Sequence, residues 1–142
     1  MPRLDIDQRR AKYAFTNAGI GMGKAGKKYG SQIESLPMMI HNSGLRNTLA
    51  FAYAKGHLKG EKGAIEWKLV FDHITNWLKT EPTGTLTTLK SLIKSDDILK
   101  AIIDLGDYEY RFATQETIAL VNWLRKLVKG EENQPPKKED KP

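Results

Sequence analysis

The sequence contains no cysteine. That absence excludes thiolate zinc sites, iron–sulfur clusters, thiol nucleophiles and any disulfide framework, and it suits a reducing interior. No apolar run approaches the length of a signal-peptide core or a membrane span, and the opening MPRLDIDQRR is charged. The expectation is a soluble, cytoplasmic protein with no membrane partner. Alternating β-branched segments are missing too, and every strong apolar run has a helical period, so a sheet-based fold is excluded. Acids are scarce along one long stretch: between Arg9 and Gly60 the single carboxylate is Glu34.

What remains is enough for one core. With 142 residues, 39% of them hydrophobic and 28% charged, the chain can close a single domain without covalent or metal staples. The periodicity predicts an all-α bundle of about six helices over residues 1–129, followed by a disordered charged tail, GEENQPPKKEDKP, at 130–142. Asp5 is the expected N-cap of the first helix, whose Ala11, Ala14, Phe15 and Ala18 share a face. The stretch GIGMGKAGKKYG, residues 19–30, is too rich in glycine for a helix interior and reads as a flexible basic loop. Ile33, Leu36, Met39 and Ile40 mark a second helix in which Pro37 should start or kink a turn. Ser43-Gly44 breaks the pattern before a third helix that ends near Gly56. Trp67, Val70, Phe71, Ile74, Trp77 and Leu78 form the best amphipathic stripe. Leu86, Leu89 and Ile93 suggest a short helix, Ile98 to Ile103 another opening at Ser95, and a last one runs from Asp107 to about Lys129.

Charge is uneven along the chain. Residues 1–62 hold 11 Lys or Arg against four acids, a net of +7, whereas residues 63–129 hold nine of each. Clustering of that kind favours a polyanionic partner, although lysines and arginines on separate helices are equally well explained as solvated faces.

Several patterns imitate chemical sites. GMGKAG satisfies the dinucleotide-binding spacing and GMGKAGK nearly satisfies a phosphate-binding loop, but both require a preceding buried strand, and Lys28 stands where magnesium needs Ser or Thr. The same residues instead make a basic segment able to lie along a phosphodiester backbone. His41, His57 and His73 lack any metal-ligand spacing, and Asp96-Asp97 is explained by helix capping, so no metal, cofactor or small-molecule substrate is expected. No nucleophile-elbow pattern is present, which points away from an enzyme. Trp67, Trp77 and Trp123 belong to apolar helix faces, with Trp123 nearer the edge, while Tyr29 and Tyr53 in the basic half either pack or stack on bases.

Residues 27–55, KKYGSQIESLPMMIHNSGLRNTLAFAYAK, resemble the small subunit of the type III-B (Cmr-type) CRISPR effector complex. The likeness lies in Tyr29-Gly30, Leu36-Pro37 with Ile40, Gly44-Leu45 and Thr48-Leu49-Ala50-Phe51. It also lies in ATQETIALVNWLRKL at 113–127, with its ending at Trp123, Leu124 and Arg125, and in Arg9, Tyr13 and Ala14 of the opening helix. The resemblance implies a non-catalytic subunit of an antiviral ribonucleoprotein. Its implied partners are copies of itself, the subunit that carries the guide RNA along the backbone of the complex, other Cmr-type subunits, and guide and target RNA. The basic first half then supplies the expected RNA contacts: Lys24, Lys27, Lys28, Arg46, Lys55 and Lys59. A structural spacer with little RNA contact, or an unrelated basic nucleic-acid-binding bundle, are the alternative readings.

Overall fold

The computed structural model describes residues 5–57, 64–80 and 86–132. Among them are five α-helices and no strand: α1 (Ile6–Ala25), α2 (Lys27–Gly56), α3 (Ile65–Thr80), α4 (Ser95–Ile103) and α5 (Asp107–Glu132). The class is as expected and the helix count is one fewer. The opening of α1 follows the expected chemistry, because the Asp5 carboxylate accepts from the Gln8 amide at 2.7 Å and the Gln8 side chain accepts from the Asp5 amide at 3.1 Å. This reciprocal box satisfies two amides that a helix start otherwise leaves open.

The largest departure lies at 19–30, where the expected flexible loop is helical. α1 continues to Ala25, the chain breaks only at Gly26 (φ +57°), and α2 begins at once with Lys27. Glycine costs a helix up to about 1 kcal/mol per residue, so something must offset it. At Gly21 the compensation is a close approach: a Cβ there would sit 2.5 Å from the ring of Tyr29, which is wholly buried. The missing methyl is the space into which the aromatic ring packs. Gly21→Ala is therefore expected to destabilise the protein by about 1–3 kcal/mol despite alanine's better helix propensity, through overpacking. Gly19→Ala and Gly23→Ala, where a Cβ meets nothing within 4 Å, should each stabilise it by roughly 0.5–1 kcal/mol. Urea denaturation of the three variants separates the two signs.

α2 keeps helical dihedrals through Pro37 and departs from them only at Gly44 (φ +83°, ψ 163°), a backbone conformation that favours glycine. The break expected at Ser43-Gly44 is thus a kink within one long element. α3 bears its expected stripe and also buries Leu69, His73 and Thr75, because it is wedged against α2, α1 and α5. The short helix expected around Leu86–Ile93 is a single 3-10 turn at Thr87–Leu89, and Ile93 is 88% exposed. α4 has no side-chain N-cap; Asp96 instead accepts from the neighbouring Asp97 amide at 3.0 Å. α5 extends to Glu132, beyond the expected end near Lys129, and the rest of the tail lies outside the described residues.

Two polar devices sit inside this apolar core. His73 Nδ1 is 2.7 Å from the Tyr29 hydroxyl, and the Tyr13 hydroxyl donates to the His73 carbonyl, tying α1, α2 and α3 together. Burial, with the nearby Lys24 charge, pushes His73 down to about 4. Unfolded, the same imidazole titrates near 6.5, so between those values the unfolded chain binds the extra proton. Stability is complete above pH 6.5 and falls as the pH drops towards 4, by about 3 kcal/mol from this group. Denaturation midpoints measured from pH 7 to 5 should fall in the wild type and stay nearly level in His73→Phe. The second device is an ion cluster: the buried Glu116 carboxylate accepts from Arg10 Nε at 2.7 Å, Arg10 Nη2 at 3.1 Å and the Trp77 indole at 2.9 Å. It pins α1, α3 and α5 at one point.

Candidate nucleic-acid interface

The expected RNA-contacting residues divide into four groups once folded. Lys24, in the last turn of α1, and Lys27 and Lys28, in the first turn of α2, are exposed and lie together across the Gly26 break. Lys55 is exposed at the other end of α2, beyond the Gly44 kink, with Nζ 5.6 Å from the Phe51 ring. Lys59 lies outside the described residues.

Arg46 has a different occupation. Its Nε donates to the Ile103 carbonyl at 3.0 Å and Nη2 to the Leu105 carbonyl at 2.8 Å, while its guanidinium lies 3.6 Å above the Tyr110 ring. The Tyr110 hydroxyl accepts from the Arg46 amide at 3.1 Å, just past the Gly44 kink. Arg46 therefore caps the end of α4 and clamps it to the lower half of α2. A guanidinium so engaged is a fastening rather than an open phosphate contact, and a count of positive charges does not distinguish the two uses.

The sequence reading missed the other wall of the basic surface. α5 packs antiparallel beside the first half of α2: Arg125 Nε donates to Glu34 Oε2 at 3.2 Å, Lys129 Nζ lies 4.0 Å from Glu34 Oε1, and Glu132 fills the space beside Gly30. Between the two helices is a cavity of about 390 Å³ lined by Glu34, Asn122, Arg125, Lys126 and Lys129. Lys27, Ser31 and Glu34 recur at four and three residues, so Lys27 continues the same face of α2 towards the helix start. Lys126 and Lys129 are exposed, with Lys126 Nζ 5.3 Å from the Trp123 ring. The signal was present in the sequence but averaged away: residues 117–129 carry three basic residues and no acid, whereas residues 95–116 carry six acids and two basic residues. Summed over the half-chain they cancel; on the surface they occupy different places.

The electrostatics of the α2 start add to this. Gly26 offers no side-chain cap, no acid stands in the first turn, and Lys27 and Lys28 place positive charge against the positive end of the helix dipole. A negatively charged group above that turn meets open amides and two ammonium groups together. The aromatic candidates are otherwise employed: Tyr29 is buried on His73, and Tyr53 stacks on His57 with ring centroids 4.2 Å apart. Trp67 and Trp77 are buried, and the indole of the more peripheral Trp123 donates to Asp7 at 3.0 Å. The residues that imitated a nucleotide loop form the end of α1 and the start of α2 across the Gly26 break, and the described segment leading into them is helix.

Among the described residues, no group of three or more His, Asp or Glu side chains is arranged to hold a metal ion, and no helix is long and apolar enough to cross a membrane. Fold and surface define a small all-α protein whose distinctive feature is a basic groove between two antiparallel helices. The model of the CRISPR-associated protein family Cas_Cmr5 matches residues 6–131, and the chain belongs to that family. It is thereby a CRISPR-associated small subunit of Cmr type, the type III-B class.

Proposed function

We propose that the protein is a non-catalytic subunit of a cytoplasmic type III-B ribonucleoprotein. In it, copies stack on one another beside the subunit that carries the guide RNA, and the basic groove follows the backbone of target RNA or of the guide–target duplex. The observation that carries this reading is the α2–α5 groove: Arg125, Lys126 and Lys129 line it beside Glu34, Lys27 continues the same face of α2, and Lys24 and Lys28 are exposed at that uncapped helix start, 97 or more residues from the α5 cations in sequence. Contacts of this kind neutralise phosphates without reading bases, as a subunit serving any target sequence requires. Lys55, at the far end of α2, would meet a separate stretch of RNA. Photo-crosslinking of the assembled complex with target RNA should give adducts at residues 24–28 and 125–129; no adducts there would leave a structural spacer.

Stacking has support of its own. Phe15 on α1 is 70% exposed and shares its outer face with Gly19 and Gly23, glycines that nothing inside the chain requires, flanked by Lys12 and Lys24. At the α4–α5 junction the 72% exposed Tyr108 lines a cavity of about 690 Å³ with Asp104 and Glu109, and Ile103, next to Asp104 in the chain, is exposed. One face is apolar and basic, the other apolar and acidic, which suits a head-to-tail contact between copies.

A further inference from the structure

Glu34 is the one acid in the basic stretch from Arg9 to Gly60, and the fold places it inside the α2–α5 groove rather than away from it. Its geometry is poor for a structural ion pair. Arg125 meets it through Nε alone at 3.2 Å, Lys129 stands at 4.0 Å, and Oε1 is shut off from solvent without a hydrogen bond. The same chain shows what a structural pair looks like: Arg10 grips the buried Glu116 with two nitrogens at 2.7 and 3.1 Å. Glu34, by contrast, is a third exposed, and Arg125 and Lys129 are 39% and 64% exposed, so little holds the group in place.

We propose that Glu34 is an internal stand-in for phosphate: its carboxylate occupies the anion position of the α2–α5 groove and is exchanged for a phosphodiester when nucleic acid binds. Three cations, Arg125, Lys126 and Lys129, face one carboxylate in this cavity, so the groove keeps a positive excess even when Glu34 is seated. A phosphate offers the Arg125 guanidinium two acceptor oxygens in fork geometry, where Glu34 now uses a single nitrogen. Until that exchange, Glu34 keeps Arg125 and Lys129 turned over the groove and competes with isolated anions, so that only a ligand with several phosphates displaces it. The inference rests on the reading that this groove meets an RNA backbone, and it assigns the groove its own competitor.

The test titrates the full chain with sodium tripolyphosphate and, separately, with a twelve-nucleotide uridine RNA, following the Arg125 Nε–H and Asn122 side-chain signals by ¹⁵N NMR. Glu34→Gln should bind both probes about three- to tenfold more tightly than the wild type, and the salt dependence should steepen as Arg125 and Lys129 become free to contact phosphate. Asp97→Asn, the same charge change on exposed Asp97 of α4, should stay within about twofold. Glu34→Asp, which keeps the charge and shortens its reach, should fall between wild type and Glu34→Gln. Equal gains in Glu34→Gln and Asp97→Asn, or weaker binding in Glu34→Gln, would overturn the proposal while leaving the RNA reading intact. Tighter tripolyphosphate binding in Glu34→Gln, with no RNA response in any variant, would leave Glu34 a competitor of free polyphosphate only and overturn the exchange for a phosphodiester together with the RNA reading. Silence of Arg125 towards both probes at low salt would overturn both. Thermal unfolding of each variant checks that the fold is retained.

Discussion

Replacing Lys27, Lys28 and Lys126 together by glutamate is expected to weaken RNA retention by the assembled complex at least tenfold near 0.15 M salt. All three side chains are exposed and form no ion pair among the described residues, so their reversal removes only the contact of Lys126 with the edge-lying Trp123 ring at 5.3 Å. Each lost contact to a single strand lowers the log–log salt slope by about 0.7, and three lower it by about 2. Stability should move the other way. Glutamates at positions 27 and 28 complement the α2 dipole that the lysines oppose, a gain of roughly 0.3–1 kcal/mol each. A variant that melts higher and binds RNA worse cannot be dismissed as misfolded. Filter binding at several salt concentrations, alongside thermal unfolding, measures both effects; unchanged retention would remove the groove from the RNA path.

The largest expected loss of stability is at Glu116. Truncation to alanine strips the acceptor from two Arg10 nitrogens and from the Trp77 indole at once, and both donors sit where water is scarce. Arg10 then keeps only the exposed Asp7 carboxylate at 3.0 Å, and a buried charge that loses its buried partner costs up to about 3–5 kcal/mol, which for a chain of this size lowers the unfolding temperature by roughly 10 °C. Glu116→Gln keeps one carbonyl acceptor and should lose less, and Arg10→Met combined with Glu116→Leu should recover part of the deficit by removing both charges together. Calorimetry across the four proteins checks the order. If Glu116→Ala melted within a degree or two of wild type, Asp7 alone would suffice as the acceptor for Arg10.

Much of the helical frame was legible because it obeys local rules. Asp5 caps α1, the Trp67–Leu78 stripe is buried, and Gly44 breaks α2 where the pattern stops. The glycines of 19–30 misled because glycine serves two physical purposes. At Gly21 it makes room for a ring eight residues away, and no local propensity contains that ring's position. Arg46 differs from the open lysines for a related reason: a guanidinium meets carbonyls as readily as phosphates, and the carbonyls of Ile103 and Leu105 come near only through tertiary packing. The wall of the groove supplied by α5 was hidden by arithmetic. A half-chain sum of zero conceals acids in the first turn of α5 and the cations Arg125, Lys126 and Lys129 farther along it, and only the antiparallel pairing with α2 gives that separation a place.

That pairing also sets when the protein acquires its surface. Lys27 and Lys28 leave the ribosome roughly a hundred residues before Arg125 and Lys129, so a chain synthesised only through α4 carries one wall of the groove and a Glu34 with no cation opposite it. On the proposed function, grip on a polyanion then depends on the docking of α5 against α2 and not on the lysines of α2 alone.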